Sequence, residues 1–229
     1  MVRWYMNSRI IAELADSFFK LLMPGIRVTI PLTVISFVLG LIIALMTALV
    51  QVAKVPVLKQ AARFYVWIIR GTPMIVQLFV VYFGLPSIGV RLAPFPSAII
   101  VFSLSVGAYC SETVRATIES VDKGQMEAGY CLGLNFWQTM KLIVLPQAFV
   151  TAFPPLSNSL IGLVKDTSLA YSVAIVEILA SAQRIAARTY DYFWLYLEAG
   201  FIYLIFCTIL TFFQRRIEKR IGSYRQELS

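Results

Sequence analysis

No histidine occurs anywhere in the 229 residues, only 14% of them carry charge, and the three cysteines are scattered at 110, 131 and 207. Without histidine the chain lacks the commonest general base and the commonest metal ligand. Cys110, Cys131 and Cys207 form neither a disulfide framework nor a thiolate cluster in their spacing. Metal chemistry and His-dependent catalysis are therefore excluded, and neither a catalytic residue, a metal nor a cofactor is expected. The chain also lacks a Gly-x-x-x-x-Gly-Lys-Ser/Thr loop to cradle nucleotide phosphates, so any ATP-driven work falls to another chain. An ordinary soluble domain has about 25% charged residues. With 59% hydrophobic residues here, most side chains must face lipid or one another.

The formal charge of +8 raises the question of nucleic acid, which the distribution of the cations answers. They are spread along the chain, and the one dense run, Arg215, Arg216, Lys219 and Arg220, directly follows an apolar segment. That placement marks the inner side of a membrane protein and excludes a nucleic-acid partner.

A bilayer core takes about 20 apolar residues as helix. Val28 to Ala53, Gly71 to Val90, Leu92 to Ser111 and Leu142 to Val164 are uncharged, and Tyr192 to Gln214 holds one charge, Glu198. These runs predict an all-α integral membrane protein with five spans near 28–53, 64–86, 92–115, 142–164 and 192–214. The chain divides into an N-terminal amphipathic segment, 1–21, a single transmembrane domain, 22–214, and a basic tail, 215–229. Thr167 to Val176 is uncharged but too short to cross, and reads as a re-entrant or interfacial segment running toward Arg184 and Arg188.

With the C-terminus inside, the inner loops and tail hold eleven cations, Lys54 among them, against eight outside, Arg3 among them, with Arg70 left within a span. The positive-inside bias favours that orientation. Residues 1–20 have no apolar centre of the kind a cleaved signal peptide needs. Instead Ile10, Ile11, Leu14, Phe18 and Leu21 recur at helical spacing, giving an amphipathic helix that lies on the membrane or packs on its own bundle.

A free backbone group in hydrocarbon is costly unless protein or water satisfies it, so interruptions within spans carry information. Arg70-Gly71-Thr72-Pro73 splits the second span, with Gln77 just beyond it. Pro154-Pro155 is expected to break the fourth span, ahead of Lys165-Asp166-Thr167-Ser168. Tyr109, Ser111, Glu112 and Arg115 fall toward the end of the third, and Pro31 reads as a kink in the first. Charges at membrane depth mark solute pathways or structural ion pairs, and both readings stand for each cluster.

Between the third and fourth spans, residues 123–141 read as two short helices joined at Gly133, which can supply the left-handed residue that ends the first. Asn135 and Gln138 have the spacing of a cap and its reciprocal partner opening the second. The expected face of this elbow is an apolar ridge of Met126, Tyr130, Leu134 and Trp137, suited either to a partner's groove or to the ends of the bundle.

At this loop the chain resembles a known family. Glu-Ala-Ala, three residues, Gly, nine residues and Ile-x-Leu-Pro is the signature of the permease subunits of binding-protein-dependent ABC importers. It is met here at Glu127, Ala128, Gly133, Ile143, Leu145 and Pro146, with Gly129 where the third position is usually Ala. Arg70-Gly-Thr-Pro through Pro86, and Lys165-Asp-Thr-Ser-Leu169, resemble the polar amino acid branch, the histidine, glutamine, arginine and cystine permeases. The likeness runs from about residue 20 to the tail.

The resemblance implies a type I importer transmembrane domain with the N-terminus outside and the C-terminus in the cytoplasm of a bacterial cell. Its implied partners are two cytoplasmic ATP-binding subunits, an extracytoplasmic solute-binding protein, a second permease copy in a homodimer, and membrane lipid. The loop with Glu127, Tyr130 and Trp137 would be the coupling helix, and the solute a polar amino acid, with overall likeness leaning toward L-cystine. An ATP-independent channel or secondary carrier is the alternative from another class. Five spans cannot divide into two equal inverted halves, which counts against the carrier. Within the class, an importer for methionine or phosphate would keep the elbow pattern but not the Arg70 and Lys165 segments.

Overall fold

A computed structural model describes residues 2–53 and 56–227, with side chains for 8–53 and 56–221. Lys54 of the expected first inner loop, the side chains of Arg3 and Arg225, and the last two residues of the expected basic tail lie outside these. The described chain is helical: α1 Val2–Pro24, α2 Ile30–Val52, α3 Pro56–Gly71, α4 Met74–Phe79, α5 Pro94–Glu119, α6 Lys123–Cys131, α7 Phe136–Thr139, α8 Leu145–Asp166, α9 Ile178–Thr189 and α10 Tyr192–Glu227. Four helical stretches, Ser8–Val52, Pro94–Glu119, Phe136–Val173 and Tyr192–Ile221, are long and apolar enough to cross a membrane. The pair Pro56–Gly71 and Met74–Ile88, bent by 104° at its break, passes the same test only when taken together, as a broken span or a re-entrant loop.

Prolines explain where these helices change pitch. Three π turns, Gly25–Thr29, Val80–Gly84 and Met140–Val144, each end two residues before a proline, Pro31, Pro86 and Pro146. In each case the residue preceding the proline donates its N–H to the carbonyl five back: Ile30 to Gly25, Leu85 to Val80, Leu145 to Met140. A proline has no N–H, and its ring clashes with the carbonyl four residues earlier. Widening the preceding turn by one residue relieves the clash without leaving the helix. The Pro31 kink therefore takes the form of a π turn that joins α1 to α2, and the sequence alone did not reveal this turn.

Pro154-Pro155 does not break the fourth span. Both prolines lie inside α8, which runs unbroken from Leu145 to Asp166. Only the two missing N–H donors are lost, and the helical bonds on either side keep the other backbone groups satisfied, as hydrocarbon demands. Ser159 Oγ donates to the Pro155 carbonyl at 3.0 Å. The break at Thr72-Pro73 is real, with α3 ending at Gly71 and α4 beginning at Met74.

The chain forms two compact units, residues 1–36, 74–102 and 161–210, and residues 37–73, 103–160 and 211–229. In the first, α1 packs on α9. Leu21, Ile178, Ala182, Ala199 and Ile202 are buried together, with Phe18 and Phe206 against them. The N-terminal helix therefore packs on the protein, with Ile11 and Phe19 left exposed on its other side. The arrangement is pinned by Arg9 paired with Asp191 and by Ser17 Oγ donating to Glu198. Glu177, wholly buried, caps α9 by accepting from Leu179 N at 2.9 Å and Ala180 N at 2.7 Å, and takes the hydroxyl of Tyr203 as well.

The second unit is built around small residues, as helix packing in lipid favours. A Cβ on Gly40 would lie 2.5 Å from Val106 Cγ1, and one on Gly107 would lie 2.6 Å from Ile43 Cγ2. Tyr65 adds a hydrogen bond to the Leu104 carbonyl at 2.6 Å. Elsewhere the exposed faces of the long helices carry Ile42, Met46, Phe201, Leu204 and Phe212, the outward apolar surface a bilayer requires.

Candidate functional site

The elbow is specified residue by residue. Asp122 opens α6, its carboxylate accepting Gly124 N at 2.7 Å. At the other end Gly133 adopts φ +77. Its N–H reaches the Tyr130 carbonyl at 2.9 Å, and Leu134 N reaches that of Gly129 at 3.1 Å. This pair of bonds is a Schellman C-terminus, which calls for a left-handed residue. The expected capping box then opens α7: Gln138 N donates to Asn135 Oδ1 at 3.0 Å, and Asn135 N to Gln138 Oε1 at 2.9 Å.

Gly129 is buried, and a Cβ there would sit 2.4 Å from Thr139 Cγ2 and 2.6 Å from Thr139 Oγ1. The glycine thus lets α7 close against α6. The elbow is seated on Ile118, Met140, Val144 and Ala148, with Met126 and Phe136 packed against them. Gln147 Nε2 bonds Gln125 Oε1 at 3.1 Å, which ties α6 to α8.

The apolar ridge differs from expectation. Tyr130 and Trp137 stand exposed, at 49% and 59%, but Met126 turns inward onto the seat and Leu134 is half-buried. Leu132, 76% exposed, joins the outward surface instead. The helix faces follow from where the seat lies, which periodicity over one short helix does not reveal. Glu127 and Ala128 are exposed beside Tyr130, and Glu127 makes no ion pair among the described residues. Ile143, Leu145 and Pro146 form the π turn and the start of α8.

Of the solute-pathway candidates, the second unit gathers Arg70, Tyr109, Glu112 and Arg115. The Arg70 guanidinium lies 5.2 Å from the ring centre of Tyr109, which is half exposed. Arg115 bridges Glu112 at 2.8 Å and Glu119 at 2.7 Å. Thr72 beside the break returns its hydroxyl to the Ile68 carbonyl at 2.9 Å. Gly71 and Pro73 are exposed there. Ser111 is wholly buried with its hydroxyl on the Ala108 carbonyl at 2.8 Å, so it braces its own helix.

In the first unit α4, which carries Gln77, packs on the 3-10 turn Thr167–Val173. Lys165 and Asp166 end α8 exposed, Ser168 is half-buried, and Thr167 is buried with its hydroxyl on the Val164 carbonyl at 2.6 Å. Residues the sequence reading passed over are Asp122, Glu177 and the Arg9–Asp191 pair. Asp122 and Glu177 carried a signal, an acid one position before a helix whose first turn it caps.

The chain matches the family model described as binding-protein-dependent transport system inner membrane component over residues 36–223. It is 50% identical over 210 residues to the L-cystine transport system permease protein TcyB of Bacillus subtilis (strain 168), covering 91% of this chain and 90% of that one. It is 35% identical over 203 residues to the arginine transport system permease protein ArtQ of the same organism, covering 88% and 93%. Among solved structures, an amino acid ABC transporter crystallised with histidines superimposes with a TM-score of 0.82 at 29% identity, covering 90% of this chain and 96% of that chain. The inward-facing MetNI methionine ABC transporter shares the fold, with a TM-score of 0.70 at 18% identity and 87% and 93% coverage. The chain is a member of the binding-protein-dependent transport system inner membrane component family, the non-ATPase, multi-pass membrane permease of an ABC importer with the type I fold.

Proposed function

We propose that this permease imports a polar amino acid, with L-cystine the solute, as a homodimer above two ATP-binding subunits and beneath an extracytoplasmic binding protein. The observation that carries the reading is the elbow: a rigidly capped α6–α7 pair that presents Glu127, Tyr130, Leu132 and Trp137 outward. Aromatic residues around an unpaired carboxylate suit a groove on a partner better than they suit water. The 50% identity with an L-cystine permease supports the choice of solute.

In this reading the elbow and tail face the cytoplasm and the N-terminus lies outside. Closure of the ATPase dimer on ATP draws the elbows together, and the spans pass from inward-open to outward-open to receive solute from the docked binding protein. Hydrolysis resets them. A zwitterion shielded from water needs partners of both signs. Within the second unit Glu112 meets the α-ammonium and Arg70 the α-carboxylate, with Thr72 and Tyr109 as polar neighbours; the alternative, within the first unit, is Asp166 and Lys165 with Gln77 and Ser168.

The test is uptake of labelled L-cystine by the reconstituted complex, with arginine, glutamine and methionine as competitors, in the parent and in Glu112→Gln and Asp166→Asn. The reading expects cystine to compete best and at least one variant to lose affinity or rate. Uptake of another amino acid in preference contradicts the solute, and two unaffected variants contradict the site.

A further inference from the structure

The second unit holds an apolar groove of about 370 Å³ whose walls include Leu41 and Leu45 from α2, Val114 from α5, and Phe149 and Leu156 from α8. Its lining includes one cation, Lys141, and no carboxylate. Lys141 sits on the π turn directly before α8, at the elbow end of the span, and lines the groove together with Leu145 and Phe149. It is exposed and makes no ion pair among the described residues.

The one hydroxyl in the lining, that of Thr117, is already on the carbonyls of Thr113 and Val114, at 3.1 and 2.9 Å. Apart from Lys141 the groove therefore offers water little to bond, and a buried water needs two or more polar partners. What fits is an apolar chain joined to an anionic head, the first for the walls and the second for Lys141. A protein surface laid over the groove would have to bring its own carboxylate to Lys141. A single phospholipid brings both parts, and basic pockets between spans near a membrane face bind anionic headgroups.

We propose that this groove binds an anionic phospholipid, with an acyl chain along Leu41, Leu45 and Phe149 and the phosphate at Lys141. The site is independent of which solute is carried.

The test uses the full-length chain, purified in mild detergent with its co-purifying subunits, and two photoreactive lipids with the same diazirine acyl chain, phosphatidylglycerol and phosphatidylcholine. Labelled peptides are mapped by mass spectrometry. The expected result is labelling of the stretches holding Leu41–Leu45 and Phe149–Leu156, with about fivefold preference for phosphatidylglycerol, the effect of roughly one lysine near an anionic lipid. That preference should vanish in Lys141→Gln and persist in Lys141→Arg. Lys141 is exposed, so neither change threatens folding. Equal labelling by the two lipids, or an unchanged preference in Lys141→Gln, overturns the proposal. So does a spontaneous disulfide between two copies of Phe149→Cys in membranes, which would mark the groove as a seam between permeases.

Discussion

Thr139 occupies the space that a side chain on Gly129 would need, its Cγ2 and Oγ1 standing 2.4 and 2.6 Å from the missing Cβ. The position is usually alanine in the importer signature, so the glycine here and the close approach of α7 belong together. Gly129→Ala should destabilise the purified permease by about 1–3 kcal/mol, the usual cost of overpacking. Thr139→Ala in the same chain should restore most of it, because it removes both clashing atoms. Thermal unfolding in detergent checks this; strictly additive losses in the double variant would contradict the relationship.

The signature proline has a definite local task. Pro146 imposes the π turn Met140–Val144 between elbow and span. Pro146→Ala lets that turn tighten to an ordinary helix, which rotates the elbow relative to α8 by one residue, about 100°. Coupled uptake should fall by about two- to thirtyfold, the roughly 0.5–2 kcal/mol range for residues that carry coupling, with the protein still inserted and monodisperse. Unaltered uptake would show that the π turn has no part in coupling.

Glu177 is a wholly buried carboxyl that holds the start of α9 to Tyr203. Burial pushes it up from the ordinary carboxylate range, and the hydrogen bonds from Tyr203, Leu179 and Ala180 pull against that. Glu177→Ala should cost about 1–3 kcal/mol, leaving those donors unpaired. A folded-state value above the unfolded one means the folded state holds the proton more readily. Its stabilising contribution is present at low pH and declines as pH rises through the raised value. The stability advantage of the parent over Glu177→Gln, followed by thermal unfolding from pH 4 upward, should therefore shrink with rising pH; an advantage that grows would reverse the assignment.

What the sequence made legible was mostly local. Gly133, the Asn135–Gln138 box and the break at Thr72-Pro73 obey rules that span four or five residues, and each is found as expected. Uncharged length alone pointed to the long apolar helices, though not to their bounds, because hydrocarbon leaves few alternatives to helix. The failures lie where a distant surface decides. Met126 faces inward because the seat formed by Ile118 and Met140 lies on that side. For the N-terminal helix, whose periodicity suits either the membrane or the protein, packing on α9 follows from Leu21 meeting Ile178. Pro154-Pro155 breaks a helix by intrinsic propensity, yet α8 runs on through both prolines. The π turns are not legible in the sequence because their cause, a proline two residues later, looks the same there as a simple kink.

In the proposed function, energy enters this chain only through the elbow. This is tested by ATP-dependent uptake of L-cystine into proteoliposomes that hold the permease with its ATP-binding subunits and loaded binding protein, comparing the parent with Gly133→Val. Valine is strained at φ +77, so the variant should retain assembly but lose most uptake, while the permease reconstituted alone should carry none. Uptake by the permease alone without ATP, or full uptake in Gly133→Val, would contradict the account.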